Sequence, residues 1–296
     1  MQKYRIGKKP GQKTIGAHIF NTFGYVFLGL ACLVSLFPLF YTIMGSLKSN
    51  MDFLIGAGDV YGLIPLTLHP DNYEKAWNVA NFARYSLNSV IVTLVSIAGR
   101  IVMTSMAGYV LARGKFPGRK LIMTAFLTTM FLATGAITIY PIFSIARFFR
   151  LNTSLSGLII IYVFSISVSD IFLTIAYIKG LPRELDEAAT IDGCGFFSTY
   201  ARIILPLCKP ILATVALLTF KNVWNDYLMP MVFTISNENL KTLTVGVVSL
   251  KSNGGGAGAY DMMLAGTTIS LIPMLVFYVF TSRFFIQGIA AGAVKG

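Results

Sequence analysis

Long apolar stretches alternate with short polar segments along most of this chain. Each stretch has about 20 residues or more, the length that a helix needs to cross the hydrocarbon core of a bilayer. The pattern therefore predicts an all-α integral membrane protein with six transmembrane helices. The predicted spans cover residues 18–45, 85–111, 121–142, 155–178, 209–233 and 260–282.

The spans divide the chain into three parts. Residues 1–17 are predicted to form a basic N-terminal arm, residues 18–283 a six-helix transmembrane domain, and residues 284–296 a C-terminal tail. A charged segment at about 179–208 separates the fourth span from the fifth.

Composition supports the membrane class and excludes others. Of the 296 residues, 55% are hydrophobic and 12% are charged, whereas soluble domains carry about 25% charged residues. The formal net charge of +12 raises the question of nucleic-acid binding, but the basic residues are scattered over short loops instead of forming one patch. Cys32, Cys194 and Cys208 are far apart in sequence, so neither a disulfide framework nor a metal site is predicted.

Basic residues in short loops predict the orientation, because they concentrate on the cytoplasmic side. One side carries Lys3, Arg5, Lys8, Lys9, Lys13, Arg113, Lys115, Arg119, Lys120, Lys179, Arg183, Arg202, Lys209, Arg283 and Lys295. The other side carries fewer, namely Lys48, Lys75, Arg84, Arg147, Arg150, Lys241 and Lys251. Both termini and the 179–208 segment are therefore predicted to be cytoplasmic.

The 179–208 segment has the pattern of two short helices joined by a turn. Glu184, Asp186 and Glu187 fall in a first helical turn, where carboxylates favour the positive end of the helix dipole. Gly193 permits a sharp change of direction, and aromatic residues after it give the second helix an apolar side. Two interpretations follow from the residues alone: a solvated connecting loop, or a surface that a partner grips.

The spacing in this segment resembles the EAA signature of ABC-importer permeases. Glu187-Ala-Ala189 is followed by Gly193 and then by Ile203-x-Leu205-Pro206. Further matching pieces are Asn88-Ser89, Gly108-Tyr-Val-Leu-Ala-Arg113, Phe116–Lys120, Trp224-Asn225, Leu243–Gly246 and Gly292–Gly296. They cover nearly all of the chain from about residue 85 onward. The chain is similar to the carbohydrate-importer branch, and in particular to the smaller permease subunit of maltose-type systems.

The resemblance implies partners and residue roles. It implies a second homologous permease subunit, two cytoplasmic ABC ATPases that bind ATP and Mg, an extracytoplasmic solute-binding protein, and a sugar or oligosaccharide, in a bacterial cytoplasmic membrane. This chain would itself be neither an enzyme nor the holder of a cofactor or metal. The implied ATPase-coupling residues are Glu187, Ala188, Ala189, Asp192, Gly193, Ile203, Leu205 and Pro206. The implied tail at the ATPase dimer interface consists of Gly292, Ala293, Val294, Lys295 and Gly296.

Polar residues within the predicted spans are functional candidates, because charges at bilayer depth are costly. The charged ones are Arg100, Asp170, Lys221 and Asp226. A candidate substrate pathway is formed by Trp224, Asn225, Asp226 and Tyr227, which combine an aromatic face for a sugar ring with groups that bind hydroxyls. The alternative is that these groups hold helices together.

Three other functions compete with ATP-driven import. An ion-gradient-driven secondary transporter would use Asp170 and Asp226 as coupling carboxylates, but leaves the 179–208 segment unexplained. An intramembrane hydrolase has little support, since the two histidines lack a plausible nucleophile or metal partner. A purely structural membrane protein is the third alternative. The identity of the sugar stays open; Arg84, Arg147 and Arg150 suggest an acidic oligosaccharide or, equally, lipid headgroups.

Overall fold

A computed structural model describes residues 15–55, 63–65, 67–131, 135–165, 167–254 and 259–293. Within these ranges the chain is helical and contains no β-strand, which confirms the all-α class. The α-helices are α1 Ile15–Ser46, α2 Asn50–Ile55, α3 Asp71–Val79, α4 Phe82–Arg113, α5 Arg119–Met130, α6 Ile139–Phe148, α7 Leu155–Phe164, α8 Val168–Gly180, α9 Glu184–Ile191, α10 Phe196–Thr199, α11 Leu205–Leu207, α12 Lys209–Trp224, α13 Leu228–Thr234, α14 Leu243–Leu250 and α15 Tyr260–Ala293.

Several of these helices could cross a membrane. Three are long and apolar enough by themselves: Asn21–Ser46 within α1, the whole of α4, and Tyr260–Ser282 within α15. Two bent pairs qualify if each pair is one span, namely α7 with α8, bent by 49°, and Phe196–Leu207 with α12, bent by 77°. The described residues thus give up to five spans, and the count of six stays a prediction.

The third predicted span differs most from its prediction. A single helix over 121–142 was expected, but α5 ends at Met130, and a 3-10 turn at Gly135–Thr138 leads into α6. The 12 residues of α5 extend only about 18 Å, less than the thickness of a bilayer core. Gly135 has a φ of 48°, a conformation that a regular helix cannot contain. The prediction of one continuous helix here is therefore wrong.

The first and last helices extend past the predicted domain boundaries, which stay predictions. The last helix was expected to end at about residue 282, but α15 continues through the predicted boundary at 283 to Ala293. Most of the predicted tail is therefore helical backbone. At the other end, α1 begins at Ile15, and the rest of the N-terminal arm lies outside the described residues.

Helix α4 lies at the centre of the helix packing. It packs against α7, α8 and α12, and α12 packs in turn against α15. Small residues allow the close approach: a methyl group added at Gly108 of α4 would lie 2.6 Å from Cγ2 of Thr174 in α8. The buried residues around α4 separate into one cluster facing α12, α14 and α15, one facing α8 and the 200–212 region, and one facing α7 and α13.

Replacing Gly108 with Val should destabilise the protein by about 1–3 kcal/mol, the usual effect of forcing extra methyl groups into a packed contact. The measurement is the melting temperature of the purified protein in detergent. Gly29→Val is the matched control, because nothing lies within 4 Å of an added Cβ on α1. Equal melting temperatures for the two variants would contradict the close approach of α4 and α8.

Candidate functional site

The 184–207 region, here called the elbow, contains the helix–turn–helix that the sequence predicts. Its first limb, α9, ends in a left-handed turn: Gly193 has a φ of 77°. The N–H of Gly193 donates to the Thr190 carbonyl at 3.1 Å, and the N–H of Cys194 donates to the Ala189 carbonyl at 2.8 Å. These two bonds satisfy the last carbonyls of α9 in the pattern that commonly ends a helix at glycine.

Gly193→Ala should strain this turn, because a side chain in the left-handed region costs about 1–2 kcal/mol. We expect a lower melting temperature of the purified protein in detergent. Gly195→Ala is the matched control: Gly195 is two residues away, extended at φ −72°, and an added Cβ there meets nothing within 4 Å. Equal melting temperatures for the two alanine variants would contradict a requirement for the left-handed backbone at Gly193.

The second limb of the elbow connects it to the transmembrane region. It consists of α10, a π turn at Tyr200–Ile204 and α11, followed by the 77° bend into α12. Ile204 is fully buried. Ile203 and Leu205 are half-buried and pack against the same apolar cluster, whereas Pro206 is exposed. The two signature aliphatic residues therefore attach the elbow to the core.

The first limb is tied to the end of α4 by Asp186. Its Oδ2 lies 3.1 Å from Nε of Arg113, and the Tyr109 hydroxyl donates to its Oδ1 at 3.3 Å. An Nη atom of Arg113 also donates to the Leu181 carbonyl at 2.7 Å. The sequence assigned Arg113 no role beyond a loop charge and the end of a matching piece. Its position at the end of the Gly108–Arg113 piece, which matches the importer permeases, is the sequence feature that could have pointed to this contact.

The outer surface of the elbow combines acidic and apolar groups. Ile191 is 86% exposed and Phe197 is 66% exposed, beside the exposed Glu187, Ala188 and Asp192. We call these five residues the elbow surface. Ala189, by contrast, is buried. Contiguous exposed apolar surface is typical of a site of protein or membrane contact. A cavity of about 360 Å³ lies between this limb and the end of α4, with Glu187 in its wall.

Of the five tail residues implied to lie at the ATPase interface, three lie outside the described residues. Gly292 and Ala293 are the last residues of α15, while Val294, Lys295 and Gly296 lie beyond the described residues. The contact of this tail with an ATPase interface stays a prediction.

The four candidate pathway residues do not form one cluster. Trp224 is 5% exposed, its indole stacks on Phe220 with ring centroids 5.3 Å apart, and its Nε1 donates to the Ser270 carbonyl at 3.3 Å. Trp224 therefore has the surroundings of a packing residue. Asn225 is exposed, and its side-chain amide donates to the Lys221 carbonyl at 2.8 Å.

The other two residues lie in the interruption between α12 and α13. Asp226 accepts a hydrogen bond from the Tyr162 hydroxyl at 2.7 Å. Tyr227 lines a cavity of about 270 Å³ between α13 and α14. The same cavity contains Glu238 and Lys241, which form an ion pair at 2.6 Å. The cavity thus offers an aromatic ring and several polar groups within one space.

Residues 104–290 match the family described as binding-protein-dependent transport system inner membrane component. A probable ABC transporter permease protein of Bacillus subtilis, YurM, is 31% identical, with 100% of this chain and 94% of that protein covered. The arabinooligosaccharides transport system permease protein AraQ of the same organism is 31% identical over 92% of this chain and 94% of its own length. The probable starch degradation products transport system permease protein AmyC of Thermoanaerobacterium thermosulfurigenes is 32% identical over 91% of this chain and 95% of its own length.

A solved structure supports the fold. A chain of a bacterial ABC transporter involved in the import of the acidic polysaccharide alginate superimposes with a TM-score of 0.76 at 23% identity, and 94% of this chain and 100% of that chain are covered. The family match covers more than half of the present chain, and its relatives share about a third of their residues with it over nearly its whole length. The chain therefore belongs to the binding-protein-dependent inner-membrane transport components, the permeases of ABC importers.

Proposed function

We propose that this permease forms one half of the translocation pathway of an oligosaccharide importer, and that cytoplasmic ATPase subunits drive it through the elbow. The observation that carries the proposal is the elbow surface. It presents exposed acidic and apolar groups to solvent, while Asp186 and Arg113 fix the limb behind it to α4. A loosely attached loop could not transmit a pull, whereas this limb is tied to a long central helix.

The proposed mechanism follows from how the elbow is connected. Its first limb follows α8 after a short link and contacts the end of α4, and its second limb bends directly into α12. ATP and Mg bind to the ATPase subunits, and the closing of those subunits displaces the elbow. Because α4 and α12 also pack against each other, displacement of the elbow moves both helices together. The tail Gly292–Gly296 is proposed to reach the ATPase interface from the same side.

The membrane arrangement supports further partners. We propose six spans with both termini in the cytoplasm, on the distribution of basic residues. Helix α1 has none of its apolar window buried within the chain, so lipid or a second permease subunit must cover it. A solute-binding protein would deliver the substrate to the outer mouth, as the family description implies.

The proposed substrate is an oligosaccharide. Relatives are named for arabino-oligosaccharides and for starch degradation products, and an alginate importer shares the fold. Asn225, Asp226 and Tyr227 are proposed to face the substrate pathway, with Tyr227 offering its ring beside Glu238 and Lys241. Trp224 is not included, because its indole is enclosed by the core.

The described contacts give the ion-driven alternative less support than ATP-driven import. Of its two carboxylates, Asp226 already binds the Tyr162 hydroxyl, and Asp170 lies beside Arg100. The discriminating experiment reconstitutes the permease pair, the ATPase and the binding protein in liposomes. We expect uptake of labelled oligosaccharide that requires internal ATP and is unaffected by ionophores. Uptake that persists without the ATPase and collapses with an ionophore would overturn the proposal.

A further inference from the structure

A side chain from α4 binds the C-terminal end of α7. α7 ends at Phe164 and α8 begins at Val168. Arg100, near the middle of α4 and 6% exposed, donates from Nε to the Tyr162 carbonyl at 2.8 Å. One of its Nη atoms donates to the Ser165 carbonyl. The guanidinium therefore bonds two carbonyls at the end of α7.

The Ser165 carbonyl needs a donor because it lies beyond the end of α7. In an uninterrupted helix each carbonyl accepts from the amide four residues further on, and a lipid environment offers no water to replace a lost bond. The positive guanidinium also lies where the negative end of the α7 dipole is, and Asp170 is in the first turn of α8, where a carboxylate is favoured. The Asp170 Oδ2 is 4.0 Å from Arg100 Nη1, and Asp170 is 2% exposed.

The helices around this contact are closely packed. Next to Arg100, a methyl group on Gly99 would meet the side chain of Val163, so α4 and α7 are in close contact at the same level. Tyr162, whose carbonyl binds Arg100, also donates its hydroxyl to Asp226 in the interruption between α12 and α13. One set of contacts thus connects the interruptions of two different predicted spans.

We propose that Arg100 is a positioning residue for transport, which holds the α7–α8 interruption at a fixed bend. α8 leads into the elbow after only a few residues, so a pull on the elbow acts first on α8. With Arg100 in place, α7 moves together with α8 as one bent unit. Without it, α8 pivots while α7 stays behind. The consequence for uptake rests on the proposed function, but the consequence for the bend does not.

The test measures the bend directly in the assembled complex in nanodiscs. Spin labels are placed in a cysteine-free chain at Ile160→Cys on α7 and Leu173→Cys on α8, two positions that are 42% and 40% exposed. The main variant is Arg100→Met combined with Asp170→Asn, which removes both buried charges and leaves neither one unpaired. Lys221→Met is the control, because it removes a cation from another predicted span, where the side chain is exposed.

We expect a narrow distance distribution with Arg100 present, and a distribution at least about twice as broad in the double variant. Uptake per ATP hydrolysed should fall, because a pull on the elbow then moves α8 without α7. Lys221→Met should leave the distribution unchanged. Arg100→Lys provides a milder variant, which keeps the charge without the guanidinium's forked donors, and it should give an intermediate width.

An unchanged distance distribution in both Arg100 variants would overturn the inference, whatever happens to uptake. A broadened distribution with normal uptake per ATP would overturn the role in transport. If the wild-type complex moves no sugar but the distribution still broadens, the proposed function fails and the positioning of the bend by Arg100 stands.

Discussion

Reversing the charge at Glu187 is expected to detach the ATPase subunits from the permease. Glu187 is exposed on α9, so lysine at this position should leave the core of the chain intact. At a docked interface the same change places a cation where an anion is accommodated, and losses of about 2–5 kcal/mol are usual for such charges when they are buried by a partner. ATPase that co-purifies with the permease, and ATP-dependent uptake, should both fall more than about tenfold.

The control for this charge reversal lies on the opposite side of the membrane in the proposed topology. Glu74→Lys changes an equally charged, exposed residue on α3, and it should retain the ATPase at the wild-type level. Both variants should reach the membrane in equal amounts. Normal ATPase retention by Glu187→Lys would remove Glu187 from the coupling surface.

Introducing a charge at Ile191 is expected to have a comparable effect for a different reason. With 86% of its surface exposed, Ile191 makes little contact with the rest of this chain, so a docked partner is free to bury it. If it is an anchor of the docked elbow, Ile191→Asp should cost about 2–4 kcal/mol of binding. Titration of the purified permease pair with ATPase subunits measures this as a loss of affinity.

Ile235→Asp is the matched control for that variant. Ile235 is 69% exposed, but it follows α13 on the predicted outer side. We expect its ATPase affinity to equal that of the wild type. If Ile235→Asp weakens the ATPase as much as Ile191→Asp, the effect is general destabilisation and the anchor role of Ile191 is wrong.

The elbow was predictable because its signals are local. A first turn of carboxylates and a glycine at the end of a helix act through their nearest neighbours in the chain, so the helix α9 and the turn at Gly193 follow from spacing alone. What spacing could not give is the direction of each side chain. Ala189 turns inward and Ile191 outward, and Ile203 and Leu205 pack on the core, because the positions of α4 and α12 decide which face is covered.

The interruptions within the spans were not predictable from apolarity. The stretches at 121–142, 155–178 and 209–233 read as continuous, because hydropathy averages over residues and does not register the loss of backbone hydrogen bonds at one point. Arg100 was noted in the sequence as a costly charge, but its partners are carbonyls that have no signature in the side-chain pattern. The same limit applies to Arg113, whose ion pair with Asp186 joins residues 73 positions apart in the chain.

Aromatic and amide residues in a span were the most ambiguous signals. Trp224 through Tyr227 were predicted as one pathway group, yet a helix end at Trp224 sends their side chains to different surroundings. Trp224 enters the core, Asp226 binds Tyr162, and Tyr227 reaches a cavity near α14. A short stretch of sequence shows that the residue types of a sugar site are present. It does not show whether the fold brings their side chains together.

The most direct test of the account is the sidedness and protection of the elbow surface. Ile191→Cys is introduced into a chain in which Cys32, Cys194 and Cys208 are replaced, and a membrane-impermeant maleimide is applied to oriented membrane vesicles. We predict labelling only in inverted vesicles, and strong protection when the ATPase subunits are present. Labelling from the external side, or labelling from the cytoplasmic side that the ATPase subunits do not reduce, would contradict the account.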